Sequence, residues 1–136
     1  MTPSDMNGKV AFVTGAASGL GKASALLFAS EGACVVAFDR SADVNDTVER
    51  ITAAGGKAIA CTGDAGDERD IEKLVATAQS EFGGLHVMFA NAGITGGVRG
   101  GFFDATPEHW AEVLRVNLIG PFLAVKHAAP VIRDSG

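Results

Sequence analysis

The sequence predicts a doubly wound parallel α/β sheet, on three observations. Short and almost continuously apolar runs recur along the chain, segments with helical spacing separate them, and a glycine closes three of those segments just before the next run. Strands without polar alternation are covered on both faces, the mark of a parallel sheet, and right-handed crossovers then wind helices onto both sides. At 136 residues the chain makes one domain, able to bury roughly two-thirds of the surface its unfolded form exposes.

The elements follow in order. Residues 9–13 (KVAFV) form a first strand and residues 19–30 a helix stopped by Gly32. Residues 33–38 (ACVVAF) form a second strand, and Val44, Val48 and Ile51 mark a helix that Gly55 and Gly56 end. Residues 57–61 form a short third strand. Ile71, Leu74, Val75, Ala78 and Phe82 then repeat with the clearest amphipathic helical period, ended by Gly83 and Gly84. Each of these stops suits a left-handed glycine cap. Residues 85–90 (LHVMFA) form a fourth strand, and 94–105 a glycine-rich loop in which Phe102 and Phe103 hint at an apolar wall. Thr106 and Pro107 open a last helix as N-cap and first residue. Trp110, Val113, Leu114, Leu118 and Val125 give that helix its apolar face, with Trp110 expected in the core.

Composition narrows the function. A net charge of −5, a pI near 5.0 and no basic run argue against nucleic acid or an anionic membrane as partner. No apolar run approaches the ~20 residues that span a bilayer. The polar amino end lacks a secretory layout, so a cytoplasmic protein with two buried free thiols, Cys34 and Cys61, is expected. His86, His109 and His127 show no ligand spacing, and no metal site is expected.

Residues 14–24 (TGAASGLGKAS) join the first strand to its helix, and glycines there mean phosphate. A nucleotide-hydrolase loop ending in Gly21-Lys22 would need glycine at Ala16 and a hydroxyl at Ala23. Both fail. A redox dinucleotide fits better: Gly15 follows the strand, Gly19 and Gly21 open the helix, and the helix N-terminus favours a pyrophosphate. Asp39 ends the second strand 20 residues beyond Gly19, where a carboxylate meets the adenosine ribose hydroxyls and repels a 2′-phosphate. NAD is therefore expected over NADP, with Arg40 softening the preference.

At this point the chain from Lys9 onward resembles the short-chain dehydrogenase/reductase family. TGAASGLG stands as its glycine motif, Gly63-Asp64-Ala65 as its adenine turn, Asn91-Ala92-Gly93 as its NAG motif, and Val116-Asn117 at its helix asparagine. The resemblance implies a Rossmann-like sheet in the order 3-2-1-4 and oxidation or reduction of a small alcohol/ketone pair. It places Gly15, Ser18, Leu20 and Gly21 at the pyrophosphate and ribose, Asp39 at the adenosine ribose, and Asp64 with Ala65 at adenine. Asn91, Ala92 and Gly93 fall near the nicotinamide-side ribose. Two plainer readings stay open, Asp64 as a cap of the helix starting near Asp67 and Asn91 as a turn residue.

Asn117 has its own argument. Pro121 has no N–H, so it leaves the Asn117 carbonyl unpaired and bends the helix, eased by Gly120. In the resembling family that asparagine holds a water of the proton relay. The family's proton donor is a tyrosine with a lysine four residues on, and this chain has no tyrosine. Lys126 lacks that partner, and Ser135 falls before the fifth strand that should precede the family's serine. Two readings follow: the cofactor half of an active enzyme, truncated on its C-terminal side, or a non-catalytic dinucleotide-binding or interaction module. Either leaves the fourth strand an open apolar edge and the last helix half uncovered, so a homo-oligomer is expected.

Overall fold

A computed structural model describes residues 6–136; the first five residues of the polar amino end lie outside the described residues. Its strands are β1 (Val10–Thr14), β2 (Cys34–Asp39), β3 (Lys57–Thr62) and β4 (Val87–Phe89). All pair in parallel, in the order β3-β2-β1-β4. The order and the doubly wound class are those expected from the sequence. The strand limits move slightly: β1 and β2 run one residue further, because Thr14 stays paired opposite Phe38 and Asp39 opposite Thr62.

β4 is shorter than the apolar run LHVMFA suggests. Only Val87, Met88 and Phe89 pair with β1, while Leu85 is fully buried just before the strand. His86 extends the ladder in another way: its N–H donates to the Val10 carbonyl at 2.9 Å, and its ring Nδ1 accepts from Val10 N–H at 3.0 Å. The imidazole stands in for a strand carbonyl, a role that its sequence position did not signal.

Four helical segments cover the sheet. α1 (Gly19–Ser30) and α2 (Val44–Ala53) pack Ala25, Ala29, Val44 and Ile51 against Val13, Val35 and Ala37 on one face. On the other, α3 (Glu68–Phe82) brings Ile71, Leu74, Val75 and Ala78 onto Phe12 and Phe38, whose rings meet edge to face at 6.1 Å. Gly32, Gly55 and Gly83 take φ of +94°, +85° and +83°, the left-handed caps expected at all three helix ends.

The last segment is α4 (Pro107–Leu114), a π-helical stretch Arg115–Ile119, and α5 (Gly120–Ser135) in one continuous run. Thr106 caps it as expected, accepting from His109 N–H while the His109 ring accepts from Thr106 N–H. Pro121 cannot donate, and the break takes the form of a widened turn in which Gly120 N–H reaches the Arg115 carbonyl five residues back. The inward face differs from the one expected. Val116, Leu123, Ala124 and Ala128 are buried with Gly120, whereas Leu114, Leu118 and Val125 are exposed, and Trp110 is 53 % exposed rather than core. The run carries two apolar faces, and the one with small residues approaches the sheet closely enough to pack.

Cys34 and Cys61 are free but only half-buried, because β3 is a sheet edge and Cys34 opens its strand. Burial nonetheless pushes the Cys61 thiol above its usual range.

Thr47 of α2 is fully buried and donates to the Ala16 carbonyl at 2.8 Å, tying the glycine turn to the helix behind it. Thr47→Val keeps the shape and removes the donor, leaving a buried carbonyl unpaired. A loss of about 1–3 kcal/mol in urea unfolding is expected; an unchanged midpoint would show that the turn satisfies Ala16 by other means.

Candidate functional site

The carboxyl ends of β1, β2, β3 and β4 meet at a cleft of about 280 Å³. Gly15, Ser18, Asp39, Arg40, Asp64, Ala65, Asn91, Ala92 and Gly93 all line it, joined by Phe38, Ile94 and Val116. Nine of the residues singled out from sequence are thus brought together. Gly19, Leu20, Gly21 and Asn117 are not among the lining residues, and each departs for a different reason.

Gly21 is buried under the turn: a Cβ there would overlap the Gly15 carbonyl, so its lack of side chain lets α1 close onto the end of β1. Gly19 has φ +54° and open space where a Cβ would stand. The Leu20 side chain is 77 % exposed, outside the cleft. No side chain caps the start of α1, and no acid sits in its first turn. The uncapped N–H groups and the positive end of the helix dipole therefore remain available to an anion.

Gly15 takes φ +70°, and a Cβ there would stand 2.9 Å from the Asn91 amide nitrogen. That closeness comes from Thr14, a buried residue with no place among those expected at the site. Its hydroxyl accepts from Asn91 N–H and Ala92 N–H, both at 2.9 Å, while the Asn91 side chain donates to the Thr14 carbonyl at 3.1 Å. Asn91 is therefore more than a turn residue: it locks the ends of β1 and β4 together.

Asp39 holds the opposite wall. One carboxylate oxygen accepts from Ala17 N–H at 2.9 Å and the other from Ser41 N–H at 3.0 Å. The carboxylate is thereby fixed between the glycine turn and the end of β2, and each oxygen keeps capacity for a further donor.

The turn after β3 removes the plainer reading of Asp64 as a helix cap. The cap of α3 is Asp67, whose side chain accepts from Asp70 N–H. Asp64 instead bonds Gly66 N–H at 2.8 Å and forms an ion pair with Arg115 at 2.8 Å. The Arg115 guanidinium is the main cause that holds the Asp64 carboxyl below the usual carboxylate range, with the Gly66 N–H adding to it. Arg115, like Thr14, carries no local sequence signal for this role, since its partner Asp64 lies 51 residues away; Glu112 pairs with it locally, one turn earlier.

Asn117 sits beyond the cleft. Its amide both donates to the Ile94 carbonyl and accepts from Ile94 N–H, each at 2.8 Å, which pins the segment leaving β4. The side chain thus has a role that the proline argument, concerned with the Asn117 carbonyl, did not anticipate. Phe102 and Phe103 stack edge to face at 5.6 Å and are 73 % and 96 % exposed. Phe102 borders a second, apolar hollow with Val98, Trp110 and Val113.

Residues 9–136 match the family model described as short chain dehydrogenase. The chain belongs to the short-chain dehydrogenase family. It is 40% identical over 131 residues to a cyclohexanol dehydrogenase of an Acinetobacter species, covering 96% of this chain and 52% of that protein. An uncharacterized NAD-dependent oxidoreductase of Mycobacterium tuberculosis is 35% identical over 145 residues, with 96% and 52% covered. Among solved structures, a 3-ketoacyl-ACP reductase from Sinorhizobium meliloti superposes with a TM-score of 0.87 at 39% identity, over 93% of this chain and 50% of that one. The chain spans about half the length of the curated relatives it matches. No helix among its described residues is long and apolar enough to cross a membrane. Within this short-chain dehydrogenase fold, the cleft is lined by the glycine turn that leads into the uncapped start of α1 and by two fixed carboxylates, Asp39 and Asp64.

Because the folded state holds Asp64 ionised below its unfolded range, its contribution is present above about pH 4 and fades as pH falls through the depressed folded value. Asp64→Asn is expected to lower the thermal midpoint most at pH 6–7. The gap to the unaltered chain should close towards pH 3, as the carboxyl becomes protonated in both states; a gap independent of pH would refute the assignment.

Proposed function

We propose that the cleft binds NAD and that the chain is the cofactor-holding part of an oxidoreductase acting on a small alcohol/ketone pair. The observation that carries this reading is Asp39: its carboxylate, fixed by Ala17 N–H and Ser41 N–H, faces the same cleft as the glycine turn. A carboxylate so held accepts from two ribose hydroxyls and repels a 2′-phosphate, which favours NAD over NADP. Arg40 lines the same cleft and softens that charge without an anion-binding partner in the turn.

The residues fit the dinucleotide. Gly19 leaves open space beside the uncapped start of α1 for a pyrophosphate, with Gly15 and Ser18 beside it. Leu20 and Gly21 serve there through backbone rather than side chain. Asp64 and Ala65 take the adenine end, and Asn91, Ala92 and Gly93 the ribose next to the nicotinamide. The bound cofactor supplies a hydride donor or acceptor. The chain's own residues bind and orient it, exclude water through Phe38, Val116 and Ile94, and keep the nicotinamide end in register through the Asn117–Ile94 pair. The Asn117 carbonyl is the proposed holder of a relay water. The chain contains no tyrosine, so the family's proton donor is not among its residues.

The relatives that support an alcohol or ketone substrate include the cyclohexanol dehydrogenase and a (+)-borneol dehydrogenase from Salvia officinalis, 39% identical over 127 residues. Self-association is part of the reading. Trp110, Leu114, Leu118, Phe122 and Val125 stand exposed along one side of the last helical run, an apolar stripe of the kind that marks an interface.

NADH titration followed by its fluorescence tests the first part. Asp39→Ala is expected to weaken NADH roughly tenfold or more and to narrow the gap between NADH and NADPH; a folded chain that binds neither would refute the reading. For the second, light scattering at micromolar protein is expected to give a mass above the 13.8 kDa monomer, and Leu118→Glu to lower it. A sharp monomer peak for the unaltered chain would remove the oligomer.

A further inference from the structure

Asp64 is fixed more completely than a loop carboxylate needs to be. Its own N–H donates to the Asp70 carboxylate at 2.8 Å, which sets the backbone. One side-chain oxygen accepts from Gly66 N–H and the other from Arg115 Nη2, both at 2.8 Å. Arg115 is itself clamped: Glu112, one turn earlier, takes its Nε at 2.8 Å and the same Nη2 at 2.9 Å. The guanidinium plane is thus held by one carboxylate and presented to another 51 residues away.

This arrangement is not needed to dock the helix. Gly120 already seats α5 on the turn, since a Cβ there would stand 2.8 Å from the Ala65 carbonyl. Val116 is buried beside it. Gly66 lacks a side chain where Arg115 lies across it, so the guanidinium approaches the turn without obstruction. The ion pair is about one-third exposed on both sides, where such pairs add little stability. What it does fix is the direction of an acceptor-only group at the edge of a cleft walled by Phe38, Ala65 and Val116. Those walls suit the flat faces of a base, and a fixed carboxylate reads the base edge.

We propose that Arg115 is a positioning residue that, by aiming the Asp64 carboxylate, makes the cleft select adenine over a purine with a carbonyl at the same edge. The inference rests on the dinucleotide reading above. An ionised carboxylate accepts from the exocyclic amine of adenine and repels the oxygen that replaces it in hypoxanthine. Without Arg115 the carboxylate is free to turn away, and the discrimination goes with it.

The test compares NADH with reduced nicotinamide hypoxanthine dinucleotide by fluorescence titration of the full chain. The unaltered chain is expected to favour NADH about tenfold or more, as loss of a donor to a charged acceptor costs. Arg115→Ala should reduce that ratio at least threefold, a loss of roughly half the discrimination on a logarithmic scale. In an Asp64→Asn background the same change should leave the ratio where it is. Arg115→Lys and Glu112→Gln, milder changes, should give intermediate ratios and keep the question open to measurement if the alanine variant does not fold. A merely structural Arg115 would weaken both dinucleotides alike and leave the ratio intact, overturning the inference while the dinucleotide reading stands. An unaltered chain that binds both equally would overturn the inference in the same way. A chain that binds neither would overturn both.

Discussion

The site depends on one buried hydroxyl. Thr14 ends β1 inside the protein, and its oxygen accepts two successive N–H groups from the chain leaving β4. β4 contributes only three paired residues to the sheet, too few to fix where the following segment goes. The Thr14 hydroxyl and the Asn91 amide supply that missing constraint: they draw Asn91 and Ala92 against Gly15, where a Cβ would not fit. From there each wall of the cleft follows. Gly15 in turn must lie close over Gly21 for α1 to start where it does, with its first N–H groups free of any side-chain cap.

The far wall depends on a single helical run. Arg115 reaches the turn after β3, and Asn117, two residues on, holds the segment after β4. In a regular α-helix residues two apart point in quite different directions. Both lie in the widened stretch Arg115–Ile119, where the turn holds an extra residue before Pro121, which cannot donate. The π turn is therefore more than a defect caused by a proline. It is the local geometry from which two side chains reach the two strand ends that flank the cleft, one on each side of β1. The opposite side of the same run is bare and apolar, so the helix that orders the cleft is also the one with surface left to bury.

Much of this was legible in the sequence because the strongest signals are local. The strands, the three glycine caps and the Thr106 cap follow from patterns a few residues long, and the strand order from the family resemblance. So do the cleft residues that belong to the glycine turn and to the ends of β2, β3 and β4. What escaped was of two kinds. The last run has two apolar faces, and the large residues Trp110, Leu114 and Leu118 drew the assignment to the wrong one. A helix seated on a backbone turn must present small residues, here Gly120, Ala124 and Ala128, and only the position of Ala65 shows that. The second kind is pairing across the fold. Thr14 with Asn91, Arg115 with Asp64, and His86 with Val10 are separated by 77, 51 and 76 residues, and no periodicity reports them.

The two kinds of miss have a common cause, which bears on how such a cleft is built. The residues expected to line the cleft were legible because many of them are glycines or strand-end residues, whose placement follows from strand and helix limits. The residues that hold those contacts in place were not, because any polar side chain of suitable reach can do that work. Thr14, Asn117 and Arg115 are ordinary residues for a strand end or a helix surface until their partners are known. Their importance is carried by distance: each bonds a backbone group or carboxylate that lines the cleft, at 2.8 to 2.9 Å, Thr14 from the end of β1 and Arg115 and Asn117 from the π-helical stretch. Two elements therefore fix one cleft. A change confined to either alters the cleft through its partner without replacing any residue that lines it.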